Sequence, residues 1–182
     1  LDAVGSAVKI SSVVVCAGAH AAPLLAPLGL EFPVAPVRFD AFVTTPLPPL
    51  FEAALVVHGL AVRQTLRGNI HLNGGPHEWV EAGVANDMPK PVTPLVRNIA
   101  KRLIEVFPSL RSAQLLRSWS GILDVTPDQA TVVHPFDTPS GLIACSSAGH
   151  GFGMAPSLSV ALSDLALHGK TDMPVAALTL DR

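Results

Sequence analysis

The sequence predicts a mixed α/β fold in which the two ends of the chain form one layer and the middle forms an antiparallel sheet. Three observations support this fold class. A β-branched run enters a glycine turn near the start, at residues 12–18, and an apolar run enters a second glycine turn near the end, at residues 142–151. Between them, residues 34–45 alternate apolar and polar positions, as a strand with one solvated face does, and further strands follow. A strand, a turn and a helix in succession suit a parallel, doubly wound layer.

The first half of the chain is predicted to hold one helix and most of the antiparallel strands. Residues 12–16 predict a buried strand, and residues 20–28 predict a helix after the turn Ala17-Gly18-Ala19. Further strands are predicted at 34–45, 55–63 and 69–73. The segment Leu66-Arg67-Gly68-Asn69 supplies a hairpin turn between the last two.

The second half predicts two helices and three strands. Thr93-Pro94 is typical of a helix start, with a cap residue and then Pro at the first helical position, and Pro108 ends that helix. Strands are predicted at 115–119, 130–134 and 142–145. The last helix is predicted at 157–168, where Gly169 is placed to follow its end.

Composition excludes some classes of partner and suggests another. The 182 residues carry a formal net charge of −2, which gives no reason to expect nucleic acid. The chain is 49% apolar and only 14% charged, yet no run approaches the ~20 apolar residues that span a bilayer. The surplus of apolar surface predicts burial against another polypeptide or against a missing part of the same one. Cys16 and Cys145 each lie in an apolar run and are interpreted as reduced core thiols, which favours a cytoplasmic location.

The segment Ala148–Pro156 carries the most specific chemistry. Three glycines alternate with His150 and Phe152, a spacing that an ordinary helix or strand does not need. A strand, a glycine turn and a helix in this order direct backbone N–H groups and a helix N-terminus at one point. Such a point favours an anion or an electron-rich ring.

Other site types find little support in the sequence. His58, His71 and His77 lack the short spacing of zinc ligands, so no metal site is predicted. The nucleophile and phosphate-loop motifs GxSxG, HExxH and the P-loop are absent from the sequence.

Several segments, in order, resemble one enzyme family. The segment Trp119–Asp128 reads WSGILDVTPD and is followed by the GHGF segment at Gly149–Phe152. Upstream, Val13–His20 reads VVVCAGAH, and Pro36–Arg38 reads PVR. Together they resemble the D-amino-acid oxidase/sarcosine oxidase superfamily of FAD-dependent oxidoreductases, above all its sarcosine oxidase β-type, hydroxyproline dehydrogenase and opine dehydrogenase-like members.

The resemblance implies three parts. Residues 1–32 would be the terminal part of an FAD-binding domain, residues 33–118 an antiparallel substrate-binding domain with one helix, and residues 119–182 the return to the FAD-binding domain. The family's N-terminal GxGxxG unit, which holds the cofactor pyrophosphate in a Rossmann-like layer, is absent from the sequence. The resemblance therefore implies a partner, an N-terminal FAD-binding half that is a separate chain or a missing segment.

The resemblance also implies where FAD is held. The glycine turn would lie along the flavin ring, with Gly121-Ile122 as a second backbone segment facing it. Gly121 stands where related oxidases carry a flavin-linking Cys, which implies non-covalent FAD. His150 is a candidate catalytic residue or a hydrogen-bonded core histidine, and Phe152 is expected to pack beside the ring. The implied cofactor-binding residues are Ala17, Gly18, Gly121, Ile122, Gly149, His150, Gly151, Phe152, Gly153 and Met154.

For the substrate, the resemblance implies a small secondary amine or amino acid that is oxidised at a C–N bond. Gly153 replaces a substrate-binding Lys of related enzymes, so the carboxylate partner must come from elsewhere. Arg38 and Arg63 are candidates, although each could be a structural arginine. His71 falls where oxidases place a Lys that helps oxygen react, which hints at a dehydrogenase, and Trp119 completes the substrate-binding set. The alternative is a catalytically inactive remnant or structural subunit that uses the same fold for interaction.

Overall fold

The chain divides into two compact units. The computed structural model describes residues 9–80 and 90–182. Unit 1 comprises residues 1–35 and 124–182, and unit 2 comprises residues 36–123. The sequence-based boundaries lie at 32/33 and 118/119, and parts of those predicted domains, residues 1–8 and 81–89, lie outside the described residues.

Unit 1 is built on a three-stranded sheet. Its strands are β1 (Val13–Val15), β8 (Val132–Phe136) and β9 (Leu142–Ser146), in the order β1-β9-β8. β1 runs parallel to β9, with Val15 opposite Ala144, and β8 runs antiparallel to β9. The parallel pairing of the first and last strands confirms the predicted layer that joins the two ends of the chain.

Both faces of the β9 strand are buried. One face contributes Ala144 to a core with Val15 and helix α1 (Ala21–Leu25), which is flanked by 3₁₀ turns. The other face contributes Ile143 and Cys145 to a second core beneath helix α3 (Gly151–His168). Strands buried on both faces read as continuous apolar runs, and this explains why Leu142–Cys145 was readable from the sequence.

Unit 2 is built on a six-stranded sheet. β2 (Ala35–Thr44) pairs with β5 (Ile70–Gly74), with β6 (Glu78–Trp79) and with β7 (Leu115–Val125). The sheet continues from β5 to β4 (Leu60–Gln64) and β3 (Leu55–Val57) through antiparallel pairs. These pairings confirm the antiparallel sheet predicted for the middle of the chain.

One face of the unit 2 sheet is covered by helix α2 (Thr93–Val106). Its Ile99 and Leu103 are buried against apolar side chains that alternate along the strands, as a half-buried sheet requires. The strand residues in this core are Phe42, Leu60, Val62, Ile70 and Leu72. Val92, rather than the predicted Thr93, is the N-cap of α2, which places Pro94 at the second helical position.

Residues 55–63 form a hairpin instead of the single predicted strand. His58 and Gly59 both have positive φ values, 52° and 74°, and form its two-residue turn. Positive φ at both central residues matches the twist of the flanking strands, and His adopts this region more readily than most residues do. Val57 and Leu60 both face the core although they are three residues apart, so the alternation changes phase at the turn, and the interpretation as a single strand overlooked that change.

Two further elements are longer than predicted. β7 continues past residue 119 to Val125. α3 begins at Gly151 rather than at residue 157, so Gly151, Gly153 and Pro156 are helical. The first turn of a helix tolerates glycine poorly, but burial of Leu158, Ala161 and Leu162 holds this 18-residue helix on the sheet. Gly169 has φ 69° and ends it, as predicted.

Within the described parts of the chain, no helix combines the length and apolar character needed to cross a bilayer.

Candidate functional site

The turn before α3 is the best-defined predicted feature of unit 1. Ala148 and Gly149 have φ values of 50° and 85°, and the His150 N–H donates to the Ser147 carbonyl over 3.0 Å. His150 is the N-cap of α3, but its side chain makes no capping bond. The first N–H groups of a helix have no acceptor inside the helix, so the N–H groups of Gly151, Phe152 and Gly153 remain available to a ligand.

A buried aspartate at the end of β7 fixes this turn. Asp124 is 9% exposed, and its Oδ2 accepts hydrogen bonds from the Ser146 hydroxyl (2.6 Å) and the Ser147 N–H (3.2 Å). The Ser146 Oγ in turn accepts the Ala148 N–H over 3.2 Å. A carboxyl group that bonds two successive residues of a turn holds the backbone in one conformation. The turn is therefore held in place before any ligand binds.

The cavity of unit 1 lies beside the same aspartate. It measures about 330 Å³, and its polar wall includes Gly18, Asp124, Ser147 and Gly151. A Cβ atom placed on Gly18 would be 4.0 Å from Asp124 Oδ1, so that oxygen faces the glycine turn that follows β1. The remaining wall is formed by two thiols and part of α3: Cys16, Cys145, Ala155, Leu158, Ser159 and Leu162.

Two of the ten predicted cofactor-binding residues, Gly18 and Gly151, line this cavity. Ala17 packs against the core on the α1 face. Met154 packs against the core beneath α3, where its sulfur accepts a hydrogen bond from Thr131 (3.2 Å). Gly149 lies in the turn itself, and Gly153 has open space around it.

Four other cofactor predictions fall in exposed or half-buried positions. His150 is exposed, and Phe152 is fully exposed at 102%. The side chain of Phe152, which was expected to pack beside the flavin ring, contacts no core among the described residues. Gly121 and Ile122 are half-buried residues of β7, and a Cβ on Gly121 would meet nothing within 4 Å. Their roles toward a cofactor stay predictions.

In unit 2 the structure brings together three of the four predicted substrate residues. Arg63 and His71 are directly opposite each other on β4 and β5, and therefore share one face of the sheet. The His71 ring stacks on Trp119, with centroids 5.3 Å apart. Burial and the neighbouring Arg63 charge lower the pKa of His71, which favours the neutral imidazole. The face thus presents one aromatic pair beside a permanent positive charge.

Arg117 belongs to the same group although the sequence interpretation did not single it out. Its guanidinium carbon lies 5.9 Å from the centroid of the Trp119 ring, within range of a cation–π contact. The two residues are separated by one position on β7, so their side chains share a face. The position of Arg117 two residues before Trp119, a predicted substrate residue, is the sequence signal that could have identified it.

Arg38, the fourth substrate candidate, is ion-paired within unit 2. Its guanidinium donates to Glu78 on the neighbouring strand β6. Its buried Nε has no hydrogen-bond partner among the described residues. Because Arg38 already pairs with the Glu78 carboxylate, the structure favours a structural role for Arg38 over a role in binding substrate.

The structure agrees with some of the remaining sequence-based interpretations and disagrees with one. Asp128 accepts the Ala130 N–H at 3.1 Å and is held by Arg182, so Thr126-Pro127-Asp128 forms a structural turn. Cys145 is buried as expected. The prediction that Cys16 is a core thiol is wrong, because Cys16 is exposed directly after β1, a strand that pairs with β9 alone among the described residues. Within the described residues, no group of three or more His, Cys, Asp or Glu side chains could hold a metal ion.

Known proteins with similar sequences include two that are named as oxidases. Sarcosine oxidase subunit beta of Rhodobacter capsulatus is 23% identical over 180 residues, which is 97% of this chain and 42% of that protein. Glycine oxidase of Geobacillus kaustophilus is 27% identical over 191 residues, which is all of this chain and 47% of that protein. The chain therefore spans less than half the length of these curated relatives.

Solved structures show the same fold. L-proline dehydrogenase from P. horikoshii superposes with a TM-score of 0.80 at 24% identity, covering 94% of this chain and 46% of that one. Glycine oxidase from Geobacillus kaustophilus gives a TM-score of 0.81 at 24% identity, covering 94% and 45%.

The sequence model of one family matches residues 2–165, nearly the whole chain. That family is described as FAD-dependent oxidoreductases, abbreviated DAO. The predicted resemblance and the predicted fold class are thereby confirmed, and the chain belongs to the DAO family of FAD-dependent oxidoreductases.

Proposed function

We propose that this chain is the substrate-binding and flavin-ring-binding part of an enzyme that oxidises a C–N bond of a small amine or amino acid. FAD, when bound, would supply the electron acceptor for hydride transfer, and the resulting imine would hydrolyse in water. The observation that carries the proposal is the Ser147–His150 turn, which Asp124 holds beside a cavity at the N-terminus of α3.

The residues of unit 1 fit part of such a cofactor. The cavity of about 330 Å³ has glycine backbone on two sides, at Gly18 and Gly151, where a flat or extended ligand can approach the chain closely. The α3 N-terminus favours partial negative charge on a ligand. Asp124 favours hydroxyl or N–H donors and disfavours an anionic group, so the pyrophosphate of FAD belongs elsewhere.

The exposed face of unit 2 fits a substrate that bears a carboxylate. Arg63 offers a planar guanidinium suited to a carboxylate, and its neighbour His71 has a lowered pKa. A neutral imidazole can accept a proton or a hydrogen bond from an amine. We propose that Arg63 holds the carboxylate, while His71 and Trp119 position the amine. Arg38 is a weaker candidate because Glu78 already neutralises it.

The proposal includes a partner that completes the FAD-binding domain, either a separate chain or a further segment of this one. Two relatives are named as subunits, sarcosine oxidase subunit beta and the hydrogen cyanide synthase subunit HcnC of Pseudomonas protegens. β1 is an edge strand, and Val13 and Val14 are 40% and 38% exposed. An exposed apolar edge strand is suited to receive further strands.

The test uses the complete natural gene product, purified with any chain that accompanies it. We expect a yellow protein that releases FAD when it is denatured, because the bond to FAD is proposed to be non-covalent. Under anaerobic conditions, sarcosine, glycine or proline should bleach the flavin absorbance. A complete complex that is free of flavin would overturn the proposal and leave the structural-subunit alternative.

A matched pair of variants locates the cofactor on α3. Gly153→Trp places a large ring in the open space at the helix N-terminus, whereas Ser163→Trp places it on an exposed site further along the same helix. We expect Gly153→Trp to lose most of its bound flavin and Ser163→Trp to retain it. Equal flavin content in the two variants would contradict the proposed position.

A further inference from the structure

Cys16 and Cys145 are placed side by side by the sheet of unit 1. β1 and β9 run parallel and β1 ends at Val15, which is opposite Ala144, so Cys16 and Cys145 each directly follow the last paired residue. Val15 and Ala144 both belong to the core on the α1 face. Because side chains alternate along a strand, Cys16 and Cys145 both face α3.

The cavity beneath α3 confirms that orientation. Both cysteines line it, together with Gly18 and Asp124. Neighbouring strands lie about 4.8 Å apart, and a disulfide joins Cα atoms about 4.4–6.8 Å apart. The two thiols are therefore close enough for a covalent bond without a rearrangement of the sheet.

The two thiols differ in accessibility and acidity. Cys16 is exposed, and partial burial raises the pKa of its thiol. Cys145 is buried, and burial, reinforced by the charges of Cys16 and Asp124, raises the pKa of its thiol to about 12. An external oxidant would therefore reach Cys16 first, and Cys145 would react from inside the cavity.

We propose that Cys16 and Cys145 form a dithiol site that a small-molecule disulfide, such as oxidised glutathione, converts into an intrachain disulfide. In the first step the Cys16 thiolate attacks one sulfur of the oxidant, forms a mixed disulfide and releases one glutathione thiolate. In the second step the Cys145 thiolate attacks the Cys16 Sγ and releases the second glutathione. Two protein thiols are oxidised and one disulfide is reduced to two thiols, so electrons and protons balance.

The bond would cross the wall of the cavity that lies beside Gly18 and the α3 turn. The redox state of the surroundings would then decide whether β1 and β9 are linked covalently at this point. This inference does not depend on the proposed enzymatic function, because it requires only the register of unit 1.

The experiment treats the full chain, in the folded state and at mildly alkaline pH, with oxidised glutathione, and follows it by intact-mass measurement and peptide mapping without reduction. We expect the mass to fall by two hydrogen atoms and a Cys16–Cys145 peptide to appear in a monomeric chain. A glutathione adduct that persists on Cys16, or disulfide-linked dimers in place of the intrachain bond, would overturn the proposal.

Two variants separate the steps. Cys145→Ala should stop at a stable glutathione adduct on Cys16, and Cys16→Ala should remain unmodified because the buried thiol alone is poorly reactive. Cys16 is exposed, so Cys16→Ala is expected to fold normally even if Cys145→Ala does not. Rapid modification of Cys145 in the Cys16→Ala chain would contradict the proposed order.

Discussion

Among the residues that the structure describes, each unit buries one aspartate, and the two aspartates have different surroundings. In unit 2, Asp40 is 1% exposed and uses both carboxyl oxygens within the protein: Oδ1 accepts the Ser120 hydroxyl and Oδ2 accepts the Val92 N–H over 2.9 Å. In unit 1, the Ser146 hydroxyl and the Ser147 N–H both donate to the same oxygen of Asp124, Oδ2. Its Oδ1 faces Gly18 and the cavity.

The difference separates a structural carboxyl group from one that can also serve a ligand. Asp40 connects β2, β7 and the start of α2, and each of its two oxygens already accepts a hydrogen bond from within unit 2. Asp124 fixes the α3 turn and keeps one oxygen free on the cavity side. Buried polar groups are normally hydrogen-bonded, so an incompletely used oxygen beside a cavity points to a ligand.

The largest effect is expected from Asp40→Ala. Removal of the carboxyl group leaves the Ser120 hydroxyl and the Val92 N–H buried without an acceptor, which should lower the free energy of unfolding by about 3 kcal/mol. Both tryptophans, Trp79 and Trp119, lie in unit 2, so urea unfolding followed by Trp fluorescence reports this unit. A loss below about 1 kcal/mol would contradict the structural role of Asp40.

The two Asn variants test the comparison directly. Asp124→Asn can keep its oxygen on Ser146 and Ser147 and turn its NH₂ toward the cavity, so we expect a cost below about 1 kcal/mol. Asp40→Asn can keep its oxygen on the Val92 N–H only by turning its NH₂ toward Ser120, whose hydroxyl must then accept instead of donate, and this should cost about 2 kcal/mol. Circular dichroism during urea unfolding follows both units. Equal costs for the two variants would show that the free oxygen of Asp124 makes no difference.

A smaller and local effect is expected on the exposed face of unit 2. Arg63→Gln removes the positive charge that, together with burial, lowers the pKa of His71. The pKa of His71 should therefore rise, while stability stays close to that of the original chain. In the original chain the depressed pKa makes stability fall as pH drops through the ordinary range of His, since the unfolded state binds the proton more readily. An NMR titration of His71 measures the shift, and Arg67→Gln serves as a control on the adjacent hairpin turn.

The smallest effect is expected at Asp128, an exposed carboxylate of unit 1. Hydrogen bonds from Arg182 and Ala130 lower its pKa well below the usual range. Arg182→Gln should raise that pKa toward the ordinary Asp value of about 3.9. The stabilisation from this pair is present above that value and is lost as the pH falls through the lowered pKa, and solvent screening keeps it small. An NMR titration of the Asp128 carboxyl carbon checks the direction.

Sequence patterns correctly predicted the elements in which a single hydrophobic pattern runs from one end to the other. β9 was recognised because burial on both faces gives a continuous apolar run, and α2 because Ile99 and Leu103 recur at helical spacing. The hairpin at His58-Gly59 was missed because its turn is only two residues long and is flanked directly by apolar residues. The first turn of α3 was missed because Gly151, Gly153 and Pro156 disfavour a helix locally, and only packing against the sheet overrides that preference.

Part of the candidate site was also beyond the reach of the sequence. The motifs identified the α3 turn, Gly18, His71 and Trp119, because glycine and aromatic residues at fixed positions carry a local signal. The pairing of Arg38 with Glu78 depends on the register of β2 with β6, which no local pattern encodes.

By itself, then, the sequence determined the fold class, the family and the segments that carry glycine-rich turns, because these follow from residue types and their order along the chain. Only the tertiary structure decided that Asp124 fixes the α3 turn, that Cys16 and Cys145 are neighbours, and that Arg63, His71 and Trp119 share a face. Each of these facts joins residues far apart in sequence, and it is the register of β1 with β9 and of β4 with β5 that brings two of these groups together.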